Sequence, residues 1–119
     1  MLKYFKLLYY LFYRPKIFFP KKSYSLFQED LFIKEYFKKK TKGFFIDVGS
    51  YHPLDGNNTH LLYKKGWQGI NFDINSYSIK LFEFLRKRDI NIHSGVSNKK
   101  SKLTMFYRKE INMLNTLEE

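Results

Sequence analysis

Apolar and polar positions fall into blocks whose period changes along the chain, and four of those blocks predict strands. Residues 44–48, Phe-Phe-Ile-Asp-Val, are apolar or β-branched except at Asp47, and Gly49 follows at once. A run of this length bounded by turn residues predicts a buried strand that opens onto a polar loop, here His52 to Asn58 with Pro53 inside it. Trp67-Gln68-Gly69 turns the chain into a second strand, Ile70-Asn71-Phe72, which ends at Asp73, and a third is predicted over Ile90 to Val96. The spacing predicts helices before and between them. Ser25 to Gln28 has the form of a capping box, with Glu29 and Asp30 in the first turn. The helix it opens is expected over Leu26 to Lys39, burying Phe32, Ile33, Tyr36 and Phe37. Thr59 is the predicted N-cap of a short helix through Lys65 that stops at Gly66. Asn75 or Ser76 caps a third, running to about Arg88 with Ile79, Leu81, Phe82 and Leu85 inward. Leu103, Met105 and Tyr107 alternate with Lys102, Thr104 and Phe106, which predicts a further strand, antiparallel to the others.

Strands alternating with helices predict an α/β fold with a parallel sheet. In open sheets of that kind ligands bind beyond the carboxyl ends of the strands, and a glycine there lets the backbone come close to the ligand. An acid at that position selects a donor-rich or cationic ligand. An aminoacyl nucleoside such as S-adenosylmethionine, with a sulfonium, an ammonium and ribose hydroxyls, meets the description, and a pyrophosphate does not. Asp73 strengthens the pattern: it ends the second strand 26 positions after Asp47, where doubly wound folds place a carboxylate that accepts from ribose hydroxyls. The plainer alternative, a capping Asp and a turn Gly of an ordinary βα unit, stays open on these residues alone. An NAD-type dehydrogenase is opposed by the absence of G-x-G-x-x-G after the first strand.

At 119 residues the chain is one domain or part of one, and 44% hydrophobic with 28% charged residues is a globular composition. The formal charge of +11 and pI near 9.7 would attract nucleic acid or an anionic membrane surface. However, the chain has no alanine and is rich in Lys, Asn, Ile, Phe and Tyr, a bias that AT-rich coding produces without an anionic partner. A solvated basic surface is therefore preferred, and nucleic acid is not the expected partner. With no cysteine there is no disulfide or thiolate chemistry, and a cytoplasmic location is expected. His52, His60 and His93 lack metal-site spacing with acidic partners, so no metal is expected. Residues 1–22 form a basic, aromatic segment apart from the domain over 23–119. Its apolar run Leu7 to Tyr13 is too short to span a bilayer, which takes about 20 apolar residues. The segment suits a helix lying in a membrane interface, giving peripheral membrane contact, and equally a helix packed on another part of the fold.

Several short motifs then occur in a fixed order. They are Ser25 to Asp30, Phe45-Ile46-Asp47-Val48-Gly49-Ser50-Tyr51-His52-Pro53, Asn58-Thr59, Leu62-Tyr63-x-x-Gly66-Trp67-x-Gly69-Ile70-Asn71, Phe72-Asp73-Ile74-Asn75 and Leu114-Asn115-Thr116. Over Ser23 to Leu117 the chain resembles the FkbM-like methyltransferases, S-adenosylmethionine-dependent enzymes of the Rossmann-like class I fold. It departs from their pattern at Leu26 and Gln28, which replace Gln and Gly of the first motif, at Asn57, which replaces Ser, and at Ile74, which replaces Pro. The resemblance implies that Asp47 and Gly49 belong to the cofactor loop, with Gly49 beside the methionyl part. It implies that Ser50, Tyr51 and His52 line the methionine end and that Asp73 binds the ribose hydroxyls. For Tyr51 a packing role stays open, and for His52 both a general base and a structural loop histidine do; the resemblance identifies no catalytic residue.

Family members run to about twice this length, so the resemblance implies a truncated methyltransferase fold: the first three parallel strands with their flanking helices, plus the antiparallel strand. Its function would be O-methylation of a hydroxyl on a glycan or small-molecule acceptor, weak or absent in this chain alone. The alternative is a non-catalytic remnant or interaction module that keeps the cofactor-binding half. The class orders its sheet 3-2-1-4-5-7-6, so the first strand would here become an edge with an uncovered apolar face, expected to drive self-association or a partner's docking.

Overall fold

Three parallel strands organise the molecule: β1 (Phe44–Val48), β2 (Gln68–Asp73) and β3 (Ile90–His93), in the order β1-β2-β3. The computed structural model describes residues 4–6, 8–9, 19–102 and 104–106. Ile46 lies opposite Ile70, and Ile70 opposite Ile90, so the strands are in register across the sheet. Three helices accompany them: α1 (Glu29–Tyr36), α2 (His60–Lys64) and α3 (Ser76–Leu85). Both crossovers step the same way across the sheet, and right-handed connections then put α2 and α3 on one face. The protein is thus a small α/β domain, and β1 is an edge of the described sheet.

Because side chains alternate along a strand, the two faces separate cleanly. Phe45 points to the helical side and forms the core with Leu62 and Trp67, against which Ile33 and Phe37 of the α1 end pack. Leu81 and Phe82 of α3 are fully buried. Gly69 is required where the sheet meets this core, since a Cβ there would run into the Phe45 carbonyl and ring. On the opposite face Phe44, Ile46 and Val48 are 57%, 63% and 59% exposed, and Ile90 is 56% exposed. The expected uncovered apolar face is present among the described residues.

The helix ends follow from local chemistry, with two differences from expectation. Gly66 adopts φ +103°, and Trp67 N–H donates to Leu62 O while Gly66 N–H donates to Tyr63 O, the paired bonds that close a helix through a left-handed residue. Asn75 caps α3, its Oδ1 accepting from Tyr77 N–H at 2.9 Å. α1, by contrast, is shorter than Leu26 to Lys39 and has no side-chain cap at Gln28, whose φ is +67°. Ser25 pairs instead with Asp30. The buried Asp30 carboxylate accepts from Ser23 Oγ (2.6 Å), Tyr24 N–H (2.7 Å) and Ser25 Oγ (2.9 Å), tying the N-terminal loop to the helix. Burial pushes this carboxyl up, but the hydrogen bonds outweigh it and hold it below its ordinary value. Phe32 and Tyr36, expected inside, are each 73% exposed, because α1 meets the core only through the stripe of Ile33 and Phe37.

β3 stops at His93, three residues short of Val96. Of the strand predicted over Lys102 to Tyr107, Leu103 and Tyr107 lie outside the described residues, and Phe106 makes a single bridge. Leu114 to Thr116 and most of residues 1–18 also lie outside them. Among the described residues no helix is long and apolar enough to cross a membrane.

Candidate functional site

The loop that follows β1 is bound back onto the end of β2. Gly49 N–H and Ser50 N–H both donate to Phe72 O, at 2.9 and 3.0 Å, and Ser50 Oγ donates to the same oxygen at 3.2 Å. One position on, Tyr51 N–H donates to Asp73 Oδ2 at 2.7 Å, while Asn75 N–H donates to Oδ1 at 2.8 Å. Asp73 therefore joins the loop after β1 to the cap of α3. Four of the six predicted site residues, Gly49, Ser50, Tyr51 and Asp73, are brought together by these bonds.

The backbone there is unusual in a way the sequence explains only in part. Gly49 has φ +73° and nothing within 4 Å of where a Cβ would stand, so its glycine answers to conformation and leaves open space above the chain. Tyr51 also has a positive φ, 57°, which is costly for a bulky side chain and persists only where surrounding bonds over-determine it. The bond to Asp73 is one of those.

Asp47 sits beside this loop, half-buried, and Thr59 Oγ1 lies 3.2 Å from its Oδ2. Burial pushes its carboxyl up, with the negative charges of Asp73 and Asp89 adding to the effect; the Thr59 hydroxyl and the Arg86 charge oppose it. His52 is buried, and its Nδ1 accepts from Leu54 N–H at 3.0 Å, which closes the turn at Pro53. That nitrogen is committed to the backbone.

A cleft of about 700 Å³ opens beyond the carboxyl ends of β2 and β3. Ile74, Ser76, His93, Val96, Lys99 and Met105 are among its walls. It begins next to Asp73 through Ile74 and Ser76, and none of Asp47 to His52 lines it. The acid-bearing loop and the cleft are thus adjacent features that meet at Asp73. Among the described residues no three His, Asp or Glu side chains converge as metal ligands.

Behind the loop lies a buried polar network absent from the sequence expectations. Arg86 is fully buried at the end of α3, with Asp89 and Asn57 as partners. One signal for it was present: Arg86 falls four positions after Phe82, on the inward stripe of the helix. No family model matches the chain, and no curated protein or solved structure matches it.

Proposed function

We propose that this domain binds S-adenosylmethionine and is the donor-binding part of an O-methyltransferase whose acceptor is a hydroxyl of a glycan or small metabolite. The observation that carries this reading is the bridge between Tyr51 N–H and Asp73 at the carboxyl edge of a parallel sheet, with Asp47 beside it and an open cleft adjoining. The donor set fits the ligand's chemistry. Two carboxylates favour a sulfonium and an ammonium, and each Asp73 oxygen that accepts one amide retains a second lone pair for a ribose hydroxyl. Gly49 leaves space for an aminoacyl chain to lie on the backbone. When bound, S-adenosylmethionine supplies an electrophilic methyl group, and the protein's part is to fix its orientation toward the acceptor oxygen. On this reading the protein works in the cytoplasm. Calorimetric titration of the chain with S-adenosylhomocysteine tests it: saturable binding that Asp47→Ala and Asp73→Ala each weaken is expected, and absence of binding by the wild type refutes it.

A second reading, an interaction module that keeps this half-fold, is favoured by the exposed apolar face of β1 and its unpaired edge among the described residues. Concentration-dependent self-association is expected from it. Ile46→Lys places a charge on that face without removing a core contact, so it should abolish association in sedimentation velocity while leaving the urea midpoint of dilute, unassociated protein unchanged. An Ile46→Lys protein that associates like the wild type counts against this reading.

A further inference from the structure

We infer that Arg86 is the positioning residue that holds the β1–α2 loop in its ligand-binding shape from behind; the inference rests on reading that loop as part of the donor site. The guanidinium is fully buried between the rings of Tyr63 and Phe82, 4.7 and 5.5 Å from their centroids. Its fork is divided. Nη2 donates to Pro53 O at 3.2 Å and to Asn57 Oδ1 at 2.7 Å, thereby gripping the loop at two points. Nη1 donates to Asp89 Oδ2 at 3.4 Å, and Asp89 is fixed to the sheet because it accepts from Gly69 N–H (3.0 Å) and Asn71 Nδ2 (3.1 Å). Arg86 therefore ties the loop to β2 through a single buried charge.

Asn57 passes the constraint on to the site. Its Nδ2 donates to Ser50 O at 3.4 Å, next to the strained Tyr51, and its Oδ1 accepts from Thr59 N–H at 3.1 Å. Thr59 Oγ1 stands 3.2 Å from both Asn57 Oδ1 and Asp47 Oδ2, so its one proton serves either oxygen. Every link from Arg86 to Asp47 and to the Ser50 carbonyl is a hydrogen bond. Among the described residues the Nε–H has no partner, so the guanidinium is placed for what its two Nη groups reach rather than for its own saturation. A lysine would keep the charge beside Asp89, but a point ammonium does not reproduce a planar fork that spans three acceptors on two segments.

The test uses the full chain with Arg86→Lys, titrated separately with S-adenosylhomocysteine and with adenosine. The Gly49–His52 backbone should bear on the aminoacyl half, while Asp73, held also by Asn75 N–H, keeps the ribose contact, so Arg86→Lys is expected to weaken S-adenosylhomocysteine by about tenfold or more while adenosine changes by less than about twofold. A variant that merely loosens the fold would lower both alike, and equal losses, or none, overturn the proposal. Asn57→Ala cuts the same link at the loop while leaving the Arg86–Asp89 pair, and it should give the same ratio; it decides the matter should Arg86→Lys fail to fold. Should the wild type bind neither compound, the donor-site reading falls, and positioning is then judged from amide resonances of ¹⁵N-labelled protein. Shifts at Ser50 and Tyr51 on Arg86→Lys support the linkage, and their absence overturns it.

Discussion

Replacing Asp73 by asparagine tests whether the carboxylate joins the two halves of the site. Asp73 is 8% exposed and accepts two backbone donors, Tyr51 N–H at 2.7 Å and Asn75 N–H at 2.8 Å. An asparagine has the same size and only one acceptor oxygen. Whichever way the amide is turned, its NH₂ faces one of the two N–H groups, and the remaining bond loses its charge assistance. A hydrogen bond to a charged group contributes about 1.5–3 kcal/mol, and a buried donor left without a partner costs about 1–3 kcal/mol. The expected loss for Asp73→Asn is therefore about 3 kcal/mol, a large share of the roughly 5–15 kcal/mol that holds a domain together. Urea denaturation followed by Trp67 emission measures it, because Trp67 is the single tryptophan and is buried against Phe37. Asn75→Ala is the control: it removes the α3 cap at Tyr77 N–H and should cost about 1 kcal/mol. If Asp73→Asn cost less than about 0.5 kcal/mol, the two amides would find other partners and the bridge would not constrain the loop.

The other expectations concern charge and close packing. Burial, and the positive charges of Arg86 and Lys64, push His60 down to about 4, so the unfolded chain takes up a proton near 6.5 that the folded one refuses. Stability should then fall as pH drops from about 6.5 toward 4, by about 2 kcal/mol after allowing for the ring's partial exposure. His60→Phe, which retains an aromatic ring beside Tyr24, should flatten urea midpoints over that window; an unchanged slope refutes the assignment. Asp47 has the opposite linkage, a carboxyl raised by burial, so its ionisation opposes folding above the raised value and the opposition vanishes below the ordinary 3.8. Asp47→Asn should therefore be more stable than wild type at pH 7, with the difference closing as pH falls toward 3.8, while S-adenosylhomocysteine binding is lost; a variant less stable at pH 7 contradicts this. Gly69→Ala forces a Cβ into the Phe45 carbonyl and ring and should cost about 3 kcal/mol or prevent folding, with an unshifted urea midpoint as the opposing result.

What was legible in the sequence was local. The strands stood out because each short apolar run ends at a polar residue that turns the chain, Asp47 with Gly49, Asp73 with Asn75, and the helix stop at Gly66 follows from a backbone conformation only glycine adopts readily. The juxtaposition of Asp73 with the first loop was legible too, since parallel strands joined by right-handed crossovers bring their carboxyl ends side by side. What was illegible depended on partners far along the chain. Phe32 and Tyr36 have the same spacing as Ile33 and Phe37, and only the position of Trp67 decides which stripe is covered. Ser25 was expected to form a capping box with Gln28, but Gln28 takes a left-handed turn and Ser25 pairs with Asp30 instead. Arg86 reaches Asn57 and Pro53 across 29 and 33 positions, a distance at which residue spacing carries no signal.

β1 carries one further argument. Strands buried on both faces read as continuous apolar runs, whereas a strand with one wet face alternates. Phe44, Phe45, Ile46 and Val48 follow the first pattern, with Asp47 as the exception near the carboxyl end. Yet only Phe45 is covered, by Leu62 and Trp67, while Phe44, Ile46 and Val48 remain more than half exposed. Their neighbours in register, Ile70, Phe72, Ile90 and Ile92, continue the same uncharged surface across all three strands. Although the chain carries a formal charge of +11, no lysine or arginine stands among the strand residues of this face. The two faces therefore differ in kind: the one that carries Phe45, Asp47, Asn71 and Asp73 is packed and hydrogen-bonded, and the apolar one behind it is left open among the described residues.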